Sequence, residues 1–151
     1  MAIVVAMGAV YPHAASAEES KHLVYGEVLG KAGLYGVGYE HTLDGRLSLG
    51  AAVSYAMIND EQVTTIAPYL HVRILGHRNS LFGEVGGVFA RSHLPSPVMG
   101  WDGMTESGVG ALTSLGWERR TEHLVLRASA SLVMGTGGIA PMLGFMVGVP
   151  F

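Results

Sequence analysis

The stretch from Pro141 to Phe151 constrains the fold more than any other. Leu143, Phe145, Val147, Val149 and Phe151 take the odd positions, while Met142, Gly144, Met146, Gly148 and Pro150 take the even ones. Side chains of a strand alternate between its two faces, so the pattern predicts a strand with one bulky apolar face and one low-volume face. The sequence stops on that aromatic residue, and the expectation is that lipid covers the apolar face. A strand that closes a barrel inside a bilayer leaves no open edge and needs no protein cover.

Composition agrees with a barrel and disfavours a helical membrane protein. Hydrophobic residues make up 49% of the 151 residues and charged residues 14%, against about 25% charged in an average soluble domain. No apolar run reaches the roughly 18 residues that a membrane helix requires. The 22 glycines weaken any helical reading, since each costs about 1 kcal/mol relative to alanine in a helix. Apolar residues spread along alternating strands give this composition naturally. The length suits one domain. A net charge of −3 gives no reason to expect a nucleic-acid partner. With no cysteine, disulfides and thiolate metal ligands are ruled out.

The apolar run Met1 to Val10, then Pro12 and the small residues Ala15-Ser16-Ala17 before Glu18, predicts a secretory signal peptide over residues 1–17. The mature chain is then expected to start at Glu18, with a barrel domain over residues 18–151. No Lys or Arg precedes Lys21, so the charged segment that usually opens such signals is missing, which points to a start upstream of Met1 or to a truncated chain. A buried first strand or helix is the competing reading.

Beyond Glu18 eight alternating segments are predicted: Lys21–Leu29, Leu34–Leu43, Arg46–Ile58, Gln62–Leu75, Ser80–Ala90, Met104–Arg119, His123–Met134 and a final strand after a Gly135–Gly138 turn. Asp44-Gly45 is the strongest hairpin signal among them. A single bent strand over Lys21–Leu43 is the alternative, and it leaves seven. With eight strands and Phe151 at the periplasmic end, the short turns at Asp44-Gly45, Gly76–Asn79 and Arg120–Glu122 fall on the periplasmic side. The long connection Arg91–Gly103 falls outside, as the short-turn, long-loop asymmetry of such barrels demands.

The strand phases give a consistent exterior. Leu47, Leu49, Ala51, Val53, Tyr55 and Met57 face one way, opposite Arg46, Ser48, Gly50, Ala52, Ser54 and Ala56. Ile66, Pro68, Leu70, Val72 and Ile74 oppose Thr65, Ala67, Tyr69, His71 and Arg73 in the same manner. Bulky apolar side chains therefore point out and small or ionisable ones point in, the reverse of a soluble ligand-binding barrel. Trp117, Tyr55 and Phe151 fall near strand ends, where aromatic girdles meet lipid headgroups. The inward set contains Glu27, Glu40, Glu84, Glu118, Arg46, Arg73, Arg127 and His71. Unpaired charge in a narrow barrel costs several kcal/mol, so these residues are expected to pair across the lumen as a plug. A narrow ion or proton path through the same residues is the alternative. Inward glycines such as Gly36, Gly38, Gly50, Gly108, Gly110 and Gly116 are expected to leave room for the long Glu and Arg side chains.

On these residues the chain resembles small eight-stranded outer-membrane β-barrel proteins of Gram-negative bacteria, similar in architecture to the OmpA/OmpX/OmpW-like group. The resemblance covers Glu18 to Phe151. It implies an all-β, antiparallel up-and-down transmembrane barrel in the outer membrane, in contact with its lipid and monomeric. It also implies that Phe151 is the signal recognised by the barrel-assembly machinery.

The search for chemistry gives little. Ser92-His93, Ser96 and Glu106 lie near the outer rim, but their spacing does not match the His and Ser two apart on one strand face of barrel deacylases. No catalytic role is assigned. His71 and His77 are six apart and make no metal motif, and no calcium loop occurs, so neither metal nor cofactor is expected. Gly135-Thr136-Gly137-Gly138 precedes a strand and not a helix, which disfavours a phosphate cradle. The outer connection offers Met99, Trp101 and Asp102 as the candidate contact for a partner, with packing on the rim or in the headgroups as the competing role. The functional expectation is a structural or interaction role. The alternatives are a narrow pore or small apolar-solute carrier, a lipid-A-modifying enzyme, or a soluble periplasmic barrel.

Overall fold

The structure, a computed structural model, describes residues 20–31, 33–58, 61–76, 78–94, 104–135 and 138–151. The predicted signal segment and its junction at Glu18 lie outside the described residues, as do Met99, Trp101 and Asp102.

Eight strands form: β1 (His22–Val28), β2 (Tyr35–Asp44), β3 (Leu47–Ile58), β4 (Glu61–Leu75), β5 (Asn79–Leu94), β6 (Met104–Arg120), β7 (Val125–Gly135) and β8 (Gly138–Pro150). Each pairs antiparallel with the next, and β1 pairs with β8 to close the barrel. The eight-strand reading holds, and Lys21–Leu43 is two strands and not one. At the seam His22 and Phe151 exchange both backbone hydrogen bonds, at 3.3 and 2.9 Å. No helix among the described residues is long and apolar enough to cross a membrane.

The wall is lopsided. β1 has 7 residues and β6 has 17. Strand β5 runs to Leu94, past its predicted end at Ala90, because Arg91, Ser92 and His93 continue the ladder against Ser107, Glu106 and Thr105. The predicted connection from Arg91 therefore begins four residues late. At the other end the turns are tight. The Gly45 N–H donates to Asp44 Oδ1 at 2.7 Å, and the Thr121 N–H donates to the Leu124 carbonyl at 2.8 Å. Gly76 adopts φ +94°, and a Cβ there would strike the Asn79 backbone, so only glycine makes this turn without strain.

The predicted alternation holds around the barrel. Ser48, Ala52, Ser54 and Ala56 are buried while Leu49, Val53, Tyr55 and Met57 are exposed. Leu23, Tyr25, Ala52, Ala67, Tyr69, Val88, Leu112, Val125 and Met146 fill the interior as one apolar cluster. Exterior Val37, Val85, Leu115, Leu143 and Phe145 are all more than half exposed. A solvent-facing apolar belt of that extent is unfavourable at roughly 25 cal/mol per Å², whereas hydrocarbon removes the cost.

Three of the six inward glycines make room for rings and not for the expected Glu and Arg side chains, each facing an aromatic residue directly across the ladder: Gly38 opposite Tyr25, Gly50 opposite Tyr69 and Gly116 opposite Phe82. In each case the ring lies where a Cβ would stand. The vacated volume takes aromatic rings, and the Glu and Arg side chains are carried between them.

Candidate functional site: the charged lumen

Arg127, on β7, is the hub. Its Nη1 and Nη2 donate to the two Glu40 oxygens at 2.6 and 2.9 Å, and its Nε donates to Glu118 Oε2 at 2.5 Å. The guanidinium fork thus meets one carboxylate with two parallel bonds and a second with its remaining edge, the geometry that makes arginine a stronger partner than lysine. Glu40 arrives from β2 and Glu118 from the position opposite Arg127 on β6. The Phe82 ring lies 5.4 Å from the guanidinium carbon.

His71 extends the network across β4. Its Nδ1 is 3.2 Å from Glu84 Oε1, and its Nε2 is 3.4 Å from Arg127 Nη2 and 3.8 Å from Glu118 Oε2. Tyr69 lies one inward position along β4. Its hydroxyl is within hydrogen-bond reach of Tyr25, at 2.7 Å, and of Glu40, at 3.2 Å.

Two residues that the sequence reading left out complete the site. Lys31 belongs to the β1–β2 connection, yet it is 6% exposed. Its Nζ lies 3.3 Å from Glu84 and 3.4 Å from Glu27, with the Tyr69 ring centroid at 4.3 Å. Leu29 takes a left-handed φ of 55° where the chain leaves β1, a conformation that costs a branched L-residue about 1–2 kcal/mol. The connection is then closed by the Leu29 N–H donating to the Leu34 carbonyl at 2.7 Å, and it carries Lys31 into the lumen. Arg120 continues β6 by one residue beyond its predicted end, which restores it to the inward face. Its Nε is 3.4 Å from Glu118 Oε1.

Arg46 is the one expected member that the structure removes. It sits in the two-residue turn after Asp44, exposed at the barrel end, because the ladder slips between Thr42 and Asp44 and β3 begins only at Leu47. Its carbonyl accepts from the Arg73 N–H at 2.8 Å, and its side chain takes no part in the lumen. Arg73 itself is buried and engaged. Among the described residues the interior therefore holds four carboxylates, Glu27, Glu40, Glu84 and Glu118, with four cations, Lys31, Arg73, Arg120 and Arg127. Their formal charges cancel, as burial at low dielectric requires.

Donor atoms of Glu40, His71 and Glu84 lie within 4.8 Å of one another, a spacing that suits a cation. The Arg127 guanidinium already stands there, with Nη1 2.6 Å from Glu40 and 3.7 Å from Glu84. A permanent organic cation thus takes the place that a metal ion would occupy. At the far rim, Ser92 faces Glu106 across the ladder, but the adjacent His93 points to the opposite face and contacts Thr105 Oγ1 at 2.9 Å. Neighbouring strand residues cannot share a face, so this serine and histidine do not form a nucleophile and base. Ser96 and His77 lie outside the described residues.

An apolar exterior around a buried, charge-balanced interior defines a membrane β-barrel protein. Comparison with solved structures agrees on the fold. The N-terminal β-barrel domain of Pseudomonas aeruginosa OprF is similar with a TM-score of 0.67 and 16% identity, covering 89% of this chain and 100% of that domain. Neisserial surface protein A (NspA) gives a TM-score of 0.56 and 12% identity, over 86% of this chain and 93% of its own. Ail, the attachment invasion locus protein of Yersinia pestis, gives 0.53 and 12%, over 85% and 91%. At these identities the likeness is one of fold. No family model matches the sequence, and no curated protein does.

Proposed function

We propose that this chain is a monomeric outer-membrane barrel of a Gram-negative bacterium with a structural or interaction role, no enzymatic activity and a lumen closed by its own ion pairs. The observation that carries the reading is the saturation of Arg127 by Glu40 and Glu118 inside the tight-turn half of the barrel. An eight-stranded barrel is just wide enough for its side chains to fill, and here rings and paired charges take up that width. An ion entering would have to displace a buried partner, at a cost of several kcal/mol.

In this reading the tight-turn end faces the periplasm, outer-membrane lipid covers the apolar wall, and insertion uses the barrel-assembly machinery. The connection bearing Met99, Trp101 and Asp102 is then the external contact surface. Reconstitution into planar bilayers tests the closed lumen: a silent membrane at high protein load is expected. Regular single-channel steps that disappear in Arg73 or Glu84 variants would replace the plug with a narrow pore. Membrane fractionation tests the location, with a band in the outer-membrane fraction that shifts on boiling as the expected result. Recovery as a soluble periplasmic protein would overturn it.

A further inference from the structure

A second cluster lies on the opposite face of the wall, away from the lumen. His22 alternates with buried Leu23 and His41 with buried Glu40, so both imidazoles project outward, and they face each other across the β1–β2 ladder. Their Nδ1 atoms are 3.4 Å apart, with ring centroids at 4.8 Å. The Tyr39 hydroxyl lies 2.5 Å from the same His22 Nδ1. Phe151 covers the other side of the His22 ring, stacked at 5.5 Å.

The contact between the two imidazoles is poor as a hydrogen bond, since the Tyr39 hydroxyl already meets His22 Nδ1. An imidazole nitrogen offers one lone pair or one N–H, yet His22 Nδ1 has two polar neighbours. The 3.4 Å separation also exceeds the 2.7–3.2 Å of an ordinary nitrogen-donated bond. It does match another geometry. Two nitrogens each about 2.0–2.1 Å from one tetrahedral zinc ion stand roughly 3.3–3.4 Å apart.

We propose that His22 and His41 form a binding site for a divalent transition-metal ion on the outside of the barrel next to the β1–β8 seam, the ion displacing the Tyr39 hydroxyl from His22 Nδ1. Neutral imidazole nitrogen selects zinc-like ions over calcium or magnesium, which require oxygen-rich shells. Water completes the coordination. The ion would tie β1, the shortest strand, to β2. Both histidines project from strand backbone and not from a loop, so little ordering is needed to bring the two nitrogens together.

The test is zinc binding to the full refolded barrel in detergent, followed by calorimetry. One equivalent is expected to bind to the wild type, and H22Q and H41Q are each expected to lose it while keeping the heat-dependent gel shift of a closed barrel. Binding that survives in both variants would belong to other histidines and would overturn the site, as would a wild type that binds none. X-ray absorption at the zinc edge of the loaded wild type reads the ligands without any variant. Two imidazole nitrogens at the metal support the site, and one or none refutes it.

Discussion

Tyr69 stands directly opposite Gly50 in the β3–β4 ladder, and its ring fills the space that a Cβ at position 50 would occupy. Tyr25 and Gly38 repeat the relation between β1 and β2. Ring and gap are complementary across neighbouring strands, and the Tyr69 ring is held at its hydroxyl end, which lies over Gly50 and reaches Glu40 and Tyr25.

Substituting Gly50→Ala or Gly38→Ala is therefore expected to destabilise the barrel by about 1–3 kcal/mol, the usual cost of overpacking. Gly108→Ala is the control, because nothing lies within 4 Å of a Cβ there. Urea titration of the refolded protein, read by the folded band on unboiled gels, separates the three. Equal midpoints for G50A and G108A would contradict the ring-in-gap packing.

Arg127→Met removes the hub and leaves buried Glu40 and Glu118 to the longer contacts of Arg120, at 3.9 and 3.4 Å. Loss of one partner from a buried pair costs about 3–5 kcal/mol, so this variant is expected to refold poorly or to unfold at much lower urea. Arg127→Lys keeps the charge but not the two-pronged fork, and should fall between it and the wild type. Pairing Arg127→Met with Glu40→Gln should recover part of the loss, a coupling that a double-mutant cycle measures directly.

Arg46 and Lys31 give opposite expectations despite like charge. Arg46→Ala alters an exposed turn side chain and should move stability by no more than about 0.5 kcal/mol. Lys31→Met strips Glu84 and Glu27 of a partner at 3.3 and 3.4 Å and should cost several times more. The same urea titration checks both.

The two faces can be read by labelling, since the natural chain has no cysteine to interfere. A nitroxide at Val53→Cys, which is 44% exposed, should be relaxed by oxygen dissolved in the lipid. One at Ala52→Cys, which is fully buried, should be shielded or should block folding. Equal accessibility at the two positions would remove the inside–outside assignment.

Most of the architecture was legible because a strand has a period of two, and a bilayer-facing barrel writes that period in large against small residues. The alternation of Leu49, Val53 and Tyr55 with Ser48, Ala52 and Ser54 needs no further information. The departures lie at the strand ends. Alternation places Arg46 in a strand where the structure has a turn, and Arg120 in a turn where the structure has a strand, and in each case one residue of boundary decides which side the side chain takes. Lys31 was beyond reach for a different reason. It lies in no strand, and only the left-handed Leu29 and the closed connection after it turn Lys31 inward. The outward His22 and His41 carried no signal either, being 19 residues apart and adjacent only once the register is known.

The lopsided wall bears on the order in which the barrel assembles. Every ladder but one joins strands that are neighbours in sequence, so seven of the pairings can zip locally. The remaining one brings β1 back to β8 across almost the whole chain, and its reward comes only from the short ladder between Leu23–Pro150 and Val28–Phe145. Entropy of closure must be met before that reward arrives. The rate of folding is thus gated by a late event with a small return. Run backwards, the same asymmetry makes the β1–β8 junction the first to part and the long β5–β6 hairpin the last piece of order to survive.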